Sequence, residues 1–423
     1  MNNFLHKLKV IWSDRSLRRK VLFLVLALIL FRLGAAVPIP GVNHEVLNRF
    51  LASNQFFGLL NIFSGGGLSN LSVVMLGVGP FITASIIMQL LTIMVPALKE
   101  LYHESGELGR RKFAQYSRVL TVPLAMLQGF SLLILLERQG ALLPLSIFDR
   151  LTNVLVVTAG SIILMWLGEL ISEYGIGNGT SLLIFAGIVA GIPSQLSQVI
   201  VNFEPAQVPI YLAFVLVAII TIAGVVVVTE AERPVPITYA KQVRGNKVYG
   251  GVSTYLPLRL NQSGVMPIIF ALSLLLFPQM IAQFLTNVSS DLVRAMASLI
   301  LELLNNQWVY GVSYFVLIFL FTYFYSAITF DPEAIANNLQ KGGAFIPGVR
   351  PGIPTRDHLN RTVNRLTLVG AMFLGVVAIL PLIMRAVTGM QSLAIGGTAL
   401  LIVVSVSLDL MKQLDAQTTM REY

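Results

Sequence analysis

Ten apolar stretches recur along this chain, each close to the length a helix needs to cross a bilayer: residues 21–37, 73–94, 120–136, 154–171, 181–201, 208–229, 264–284, 308–330, 366–387 and 393–410. A hydrocarbon core takes about 20 apolar residues per helical crossing. Inside it every backbone N–H and C=O needs an internal partner, so runs of this kind fold as helices. Composition agrees: 55% of the 423 residues are hydrophobic and 12% are charged, against about 25% charged in an ordinary soluble domain. The expected fold is all-α and polytopic, with ten transmembrane helices. The fifth span is broken by Gly187, Gly191 and Pro193.

The net charge of +9 points to anionic partners, and its distribution sets the topology. With the N-terminus inside, 23 of the 29 Lys and Arg fall in cytoplasmic segments. The external ones are Arg49, Arg138, Arg150, Arg294 and Arg385, and Arg32 lies within the first span. This positive-inside bias places both termini in the cytoplasm. Residues 1–20 carry Phe4, Leu5, Leu8, Ile11 and Trp12 near one helical face, among Lys7, Lys9, Arg15, Arg18, Arg19 and Lys20. They suit either a helix on the membrane surface or charges that only set orientation.

Before the second span runs Phe56-Phe57-Gly58-Leu59-Leu60-Asn61-Ile62-Phe63-Ser64-Gly65-Gly66-Gly67-Leu68. It is too short to cross, and reads as a re-entrant element buried in protein or lining a wet cavity. Two spans also open alike: Gly77-Val78-Gly79-Pro80-Phe81-Ile82 and Gly264-Val265-Met266-Pro267-Ile268-Ile269, at an offset of 187 residues. They are the second helices of two five-span halves. Five is odd, so the halves lie in opposite orientation, an arrangement that puts a transport path between them. Pro80 and Pro267 fit the first turn of a helix, where a missing N–H costs nothing.

Chemistry is sparse. The chain has no cysteine, which excludes disulfides and thiol catalysis, and His6, His44, His103 and His358 all lie outside the spans. Glu169, Glu230, Asp331 and Asp409 sit at predicted span ends, where solvation accounts for them. There is no Walker A loop and no H-E-x-x-H motif; Gly175 to Gly179 reads as an interhelical turn. No catalytic residue, metal or cofactor is expected. An ion-coupled secondary transporter with inverted repeats is the rival reading, and it lacks the intramembrane carboxylates such carriers use. An intramembrane enzyme would need paired Ser, Asp or His at depth.

Val78, Ile82 and Ile86 share one helical face, as do Thr180, Ile184 and Ile188. Packing against lipid or a neighbouring helix explains such stripes. Beside a re-entrant element they also suit a narrow aliphatic ring that dewets against ions and yields to a large flexible solute. Two basic loops, 230–262 and 331–365, are long enough to dock an acidic or nucleic-acid surface. Lys247-Val248-Tyr249-Gly250-Gly251-Val252-Ser253 favours a strand or a hairpin in the first of them.

Many blocks in order resemble the SecY family of protein-conducting channel subunits. They include Phe31-Arg32-Leu33-Gly34, Pro38-Ile39-Pro40-Gly41, Phe63-Ser64-Gly65-Gly66-Gly67-Leu68-Ser69 and Pro80-Phe81-Ile82-Thr83-Ala84-Ser85-Ile86-Ile87. Further blocks are Gly109-Arg110-Arg111-Lys112, Trp166-Leu167-Gly168-Glu169, Gly175-Ile176-Gly177-Asn178-Gly179-Thr180-Ser181, Ser253-Thr254-Tyr255-Leu256-Pro257-Leu258-Arg259 and the run from Gly343 to Gly352.

The resemblance implies a channel in the cytoplasmic membrane that passes unfolded polypeptides and releases membrane segments sideways into lipid. It implies a plug helix over about 57–69, with Phe57, Leu60, Ile62, Phe63, Ser64, Gly65, Gly66 and Leu68. It implies a pore ring of Val78, Ile82, Ile86, Thr180, Ile184, Ile269 and Ile402, with Val78 and Thr180 departing from the family pattern. A lateral gate would form between the second and seventh spans, with Pro80, Thr83, Ile87, Asn261 and Pro267. Arg244, Lys247, Arg259, Lys341, Arg350 and Arg356 would dock the SecA motor or the ribosome. Other implied partners are SecE-like and SecG-like small subunits, signal sequences, nascent chains and anionic lipids. The expected organisation is a cytoplasmic segment 1–20, an N-terminal half 21–201, a C-terminal half 202–412 and a tail 413–423.

Overall fold

A computed structural model of the chain describes residues 12–43, 46–47, 51, 61, 64–103, 106–201, 205–239, 242–244, 247–249, 253–262, 264–286, 290–388 and 391–422. The first half holds α1 (Arg15–Ala36), α2 (Gly79–Met94), α3 (Pro96–His103), α4 (Gly106–Arg138), α5 (Ile147–Tyr174) and α6 (Gly179–Val201). The second half opens with α7 (Val208–Glu230), β1 (Glu232–Tyr239), β2 (Gln242–Arg244), β3 (Lys247–Tyr249) and β4 (Ser253–Arg259). It continues with α8 (Met266–Leu285), α9 (Asp291–Asn305), α10 (Gln307–Thr329), α11 (Pro332–Lys341), β5 (Ala344–Phe345), α12 (Ile353–Thr388) and α13 (Gln391–Glu422).

Helices α1, α2, α4, α5, α6, α7, α8, α10, α12 and α13 overlie the ten expected spans. Six of the described helices are long and apolar enough to cross a membrane, and α2 with α3 makes a seventh candidate, bent by 110°. Several boundaries move. α4 starts at Gly106, α12 starts at Ile353 and α13 continues to Glu422, because hydropathy marks only the lipid-embedded part of a helix. The basic residues Arg15 to Lys20 belong to α1, which Asp14 caps by accepting from the Ser16 and Leu17 amides at 2.7 and 3.1 Å. Of the surface helix expected over residues 1–20, residues 1–11 lie outside the described residues and Arg15 to Lys20 continue into the first span.

The second span is shorter than expected. Residues 73–78 are turns, and α2 begins only at Gly79. Gly77 takes φ 58°, a left-handed conformation that glycine adopts without steric cost. The internal repeat is visible here in the backbone. Gly264 takes φ 59°, the Ile82 amide donates to the Val78 carbonyl at 3.1 Å, and the Ile269 amide donates to the Val265 carbonyl at 3.3 Å. Both prolines fall in the first turn. The correspondence reaches other helices. The Val73 carbonyl presses on Gly160 of α5, and the Leu260 carbonyl presses on Gly370 of α12, where an added Cβ would stand 2.8 Å from it. Val73 and Leu260 are again 187 residues apart.

Packing repeats as well. In the first half α2 packs on α4, α4 on α5, α5 on α6, and α1 on α5 and α6. In the second, α8 packs on α10, α10 on α12, α12 on α13, and α7 on α12 and α13. The halves meet on two sides: α6 against α13, and α2 and α4 against α8. One apolar cluster joins both halves through Val78, Ile82, Ile184, Ile269 and Ile402. Glycines make the close approaches possible, as is usual between membrane helices: Gly224 faces the Phe373 ring and Gly375 the Phe315 ring.

The two basic loops are not separate. β1 pairs antiparallel with β4 from Glu232↔Arg259 to Thr238↔Ser253. β5, from the other loop, adds to the far side of β1 at Thr238↔Phe345 and Tyr239↔Ala344. Val235, Leu258, Ile346, Leu359 and Val363 bury a small apolar core beneath this sheet. Pro234 and Pro236 lie in β1 beyond the reach of β5, where a missing N–H breaks no ladder bond. Lys247-Val248-Tyr249 forms the strand β3, which pairs antiparallel with β2 on its N-terminal side.

Candidate functional site

A cavity of about 460 Å³ lies among α2, α4, α5, α6 and α8. Its α6 and α8 residues (Thr180, Ser181, Ile184; Met266, Ile269, Phe270) come from the first turns of those helices, so it opens at the end of the bundle that carries the strands. Part of the lining is polar, with Gln89, Ser172, Glu173 and Asn178. There Arg118 Nε donates to Glu169 Oε1 at 2.7 Å, so Glu169 is paired as well as solvated, a correction to its reading as a plain span-end charge. At this half-exposed site such a pair contributes about 0–1 kcal/mol. The rest of the lining is apolar: Phe81, Ile82, Ile184, Ile269 and Phe270.

Six of the seven ring candidates are buried. Val78, Ile82, Ile86, Ile184, Ile269 and Ile402 are each 5% exposed or less and belong to one cluster. Thr180 is only partly buried and lies on the cavity wall. The cavity therefore runs from polar groups into a block of aliphatic side chains contributed by both halves.

Of the plug candidate, Asn61 is helical and Ser64 to Ser69 are turns; Phe57, Leu60, Ile62 and Phe63 lie outside the described residues. Gly65 and Gly66 take φ 68° and 80°, which a helix cannot continue through. Ser64 Oγ accepts from the Leu68 amide at 3.1 Å, and Ser69 Oγ donates to the Gly66 carbonyl at 2.7 Å. Ser64 and Leu68 are fully buried. Arg32, within the first predicted span, reaches across from α1: its guanidinium donates to the Gly65 carbonyl at 2.6 Å. Next to it, a Cβ on Gly65 would run into the Phe31 ring and would stand 3.1 Å from Gly187 Cα. Gly187, read in sequence as an interruption of the fifth span, is thus where α6 lets the turns approach.

The gate candidates gather at the heads of α2 and α8. Pro80, Thr83 and Pro267 are buried and Ile87 is half-buried. Thr83 Oγ1 donates back to the Gly79 carbonyl at 3.0 Å. Asn261 is 6% exposed, and its Nδ2 donates to the Gly264 carbonyl at 3.1 Å. Its equivalent in the first half is a residue that sequence reasoning missed: Ser161 of α5, whose Oγ donates to the Gly77 carbonyl at 2.8 Å. The Gly160-Ser161 pair inside an apolar helix was the available signal. The turn at Gly175 to Gly179 is structural, as expected. Gly177 takes φ 90°, Asn178 Oδ1 accepts from the Ser181 amide at 3.1 Å, and the Gly179 amide donates to Ser172 Oγ at 2.8 Å.

The docking candidates divide. Arg259 pairs with Glu232 at 3.4 Å across the β1–β4 ladder, and Arg356 pairs with Asp357 at 3.0 Å. Lys341 ends α11, and Arg350 is exposed in the turn between β5 and α12. Arg244 and Lys247 sit on the β2–β3 hairpin. Among the described residues no group of three or more His, Cys, Asp or Glu could hold a metal.

The family model for SecY matches residues 72–411. Among curated relatives, the protein translocase subunit SecY of Mycobacterium bovis is 42% identical over 440 residues, covering 96% of each chain. That of Halalkalibacterium halodurans is 43% identical over 420 residues, again covering 96% of each. Among solved structures, a protein-conducting channel aligns with TM-score 0.67 at 20% identity, over 96% of this chain and 93% of its own. Sec61 from a canine ribosome–channel complex aligns with TM-score 0.63 at 19% identity and the same coverage. A SecY channel whose plug domain stabilizes its closed state aligns with TM-score 0.65 at 20% identity. The ten helices, the repeated heads of α2 and α8 and the cavity between the halves therefore have a common explanation: the chain belongs to the SecY family and is the multi-pass membrane subunit of a protein-conducting channel.

Proposed function

We propose that polypeptide crosses through the block of aliphatic side chains between the halves. Val78, Ile82, Ile86, Ile184, Ile269 and Ile402 form the constriction, and Thr180 stands on its approach. The observation that carries this reading is the cavity ending on Ile82, Ile184 and Ile269 from both halves. An aliphatic waist excludes water and ions when collapsed, and parts around a chain without binding it tightly.

The turns after Ser64 close the other side of the waist, and the Arg32–Gly65 bond supports that role. α2 and α8 form the lateral gate. The packing of α8 on α2 supports this, and an apolar signal helix that binds better between them than to the closed pair would shift the channel open. The strand platform with Arg350, Lys341 and the β2–β3 hairpin docks SecA or the ribosome. SecE-like and SecG-like subunits brace the halves in the cytoplasmic membrane, both termini face the cytoplasm, and anionic lipids meet the basic flanks. The channel supplies no chemistry of its own.

A secretory chain stalled in transit tests the reading. Photo-crosslinkers at Ile82, Ile184, Ile269 and Ile402 should each capture it. No adduct at any of the four would remove the waist from the path.

A further inference from the structure

The end of the bundle away from the strands carries apolar surface that conduction does not use. α9 presents three faces. One packs inward through buried Ala297 and through Leu304, which lies against the core. A second is polar, with Asp291, Arg294 and Glu302. The third is an exposed stripe of Leu292, Met296, Leu299, Ile300 and Leu303. Such a helix lies in the membrane interface with its stripe among the acyl chains. α10 starts directly after α9, and Trp308 in its first turn is 74% exposed. This is the side chain found at membrane–water boundaries.

Beside Trp308, a cleft of about 300 Å³ opens between α10 and α12. Gly311 leaves it open, Leu382 and Ile383 form the far wall, and Phe315 closes one end by packing into Gly375. Gln307 Nε2 donates to the Leu382 carbonyl at 2.7 Å and clasps the two helices at the other end.

We propose that this cleft holds one acyl chain of a phospholipid from the leaflet away from the strands, with α9 lying in the same leaflet's interface. Three observations choose that occupant. The cleft is continuous with exposed Val312, Val316 and Leu320, the lipid-facing side of α10. Its side-chain lining is almost wholly apolar, so water would find no partners there. Along α10 it runs only from Gln307 to Phe315; a partner helix needs a groove along the whole crossing.

The test keeps the chain in its native complex, with Trp12→Phe and Trp166→Phe, in phosphatidylethanolamine–phosphatidylglycerol vesicles. A small fraction of the phospholipid is brominated along its acyl chains. The Trp308 signal is the difference from a matched Trp308→Phe sample. Expected is quenching severalfold above that of a reference tryptophan at Leu320, with the excess lost in Gly311→Leu and in Ile383→Phe, either of which fills the cleft. Quenching equal to the reference, an excess that survives both filled variants, or a Trp308 shielded by a protein helix would overturn the proposal.

Discussion

At the head of α2, Gly77 turns with φ 58° and Ser161 of α5 holds its carbonyl; at the head of α8, Gly264 turns with φ 59° and Asn261, three residues upstream, holds its carbonyl. The backbones match and the fastenings differ. A bond to another helix ties α2 to the body of its half. The Asn261 bond to Gly264 lies within the turn that leads α8. α2 also follows directly on turns pinned by Arg32, whereas α8 follows the strands. Of the two helices proposed as the gate, the first has its leading turn bonded to another helix of its half and the second has a bond within its own turn.

The most damaging way to probe this comparison is at the glycines behind the two heads. Gly160→Val drives a side chain into the Val73 carbonyl and should cost about 3 kcal/mol or more, since overpacking against backbone has no relief. Gly370→Val should follow with a smaller loss, its contact being looser. Thermal unfolding in detergent measures both, and parental stability in either variant would break the equivalence. Next comes Arg32→Leu. It strands the buried Gly65 carbonyl at about 1–3 kcal/mol and frees the turns. Ion conductance of reconstituted channels should rise while export continues; an unchanged seal would remove the latch.

The sharpest contrast is a matched pair. Ser161→Ala should lower the unfolding temperature, losing about 1 kcal/mol. Asn261→Ala should lose less stability and instead change how strongly export depends on signal-sequence hydrophobicity. Identical effects would mean that the fastenings are interchangeable. The smallest structural effect belongs to exposed Arg350→Glu, with a stability change within about 0.5 kcal/mol. It should still impair SecA-driven export more than ribosome-coupled insertion, and equal loss of both would argue against a motor contact.

Much of this arrangement was legible in residue order. The spans follow from the demand that a backbone in hydrocarbon satisfy itself. The repeat was present in Gly77-Val78 and Gly264-Val265, because a left-handed glycine before a proline-headed helix is a local device. The ring candidates Ile82 and Ile184 could be named from spacing, though spacing alone does not tell a pore wall from a packed face. The helix starts were less legible. Gly106 and Ile353 lie well before any apolar window, and the turns from Ser64 to Asn70 depend on φ angles that glycine permits without requiring.

The sequence by itself therefore determined the membrane class, the two halves and the half-length element, since each rests on local length, polarity or backbone freedom. Only the tertiary structure decided which partners meet. Arg32 finds Gly65, Ser161 finds Gly77, β5 joins β1, and two helical glycines receive carbonyls from equivalent points of the repeat. These are contacts between residues far apart in the chain. Distance and orientation in three dimensions create them, and no periodicity along the chain encodes either one.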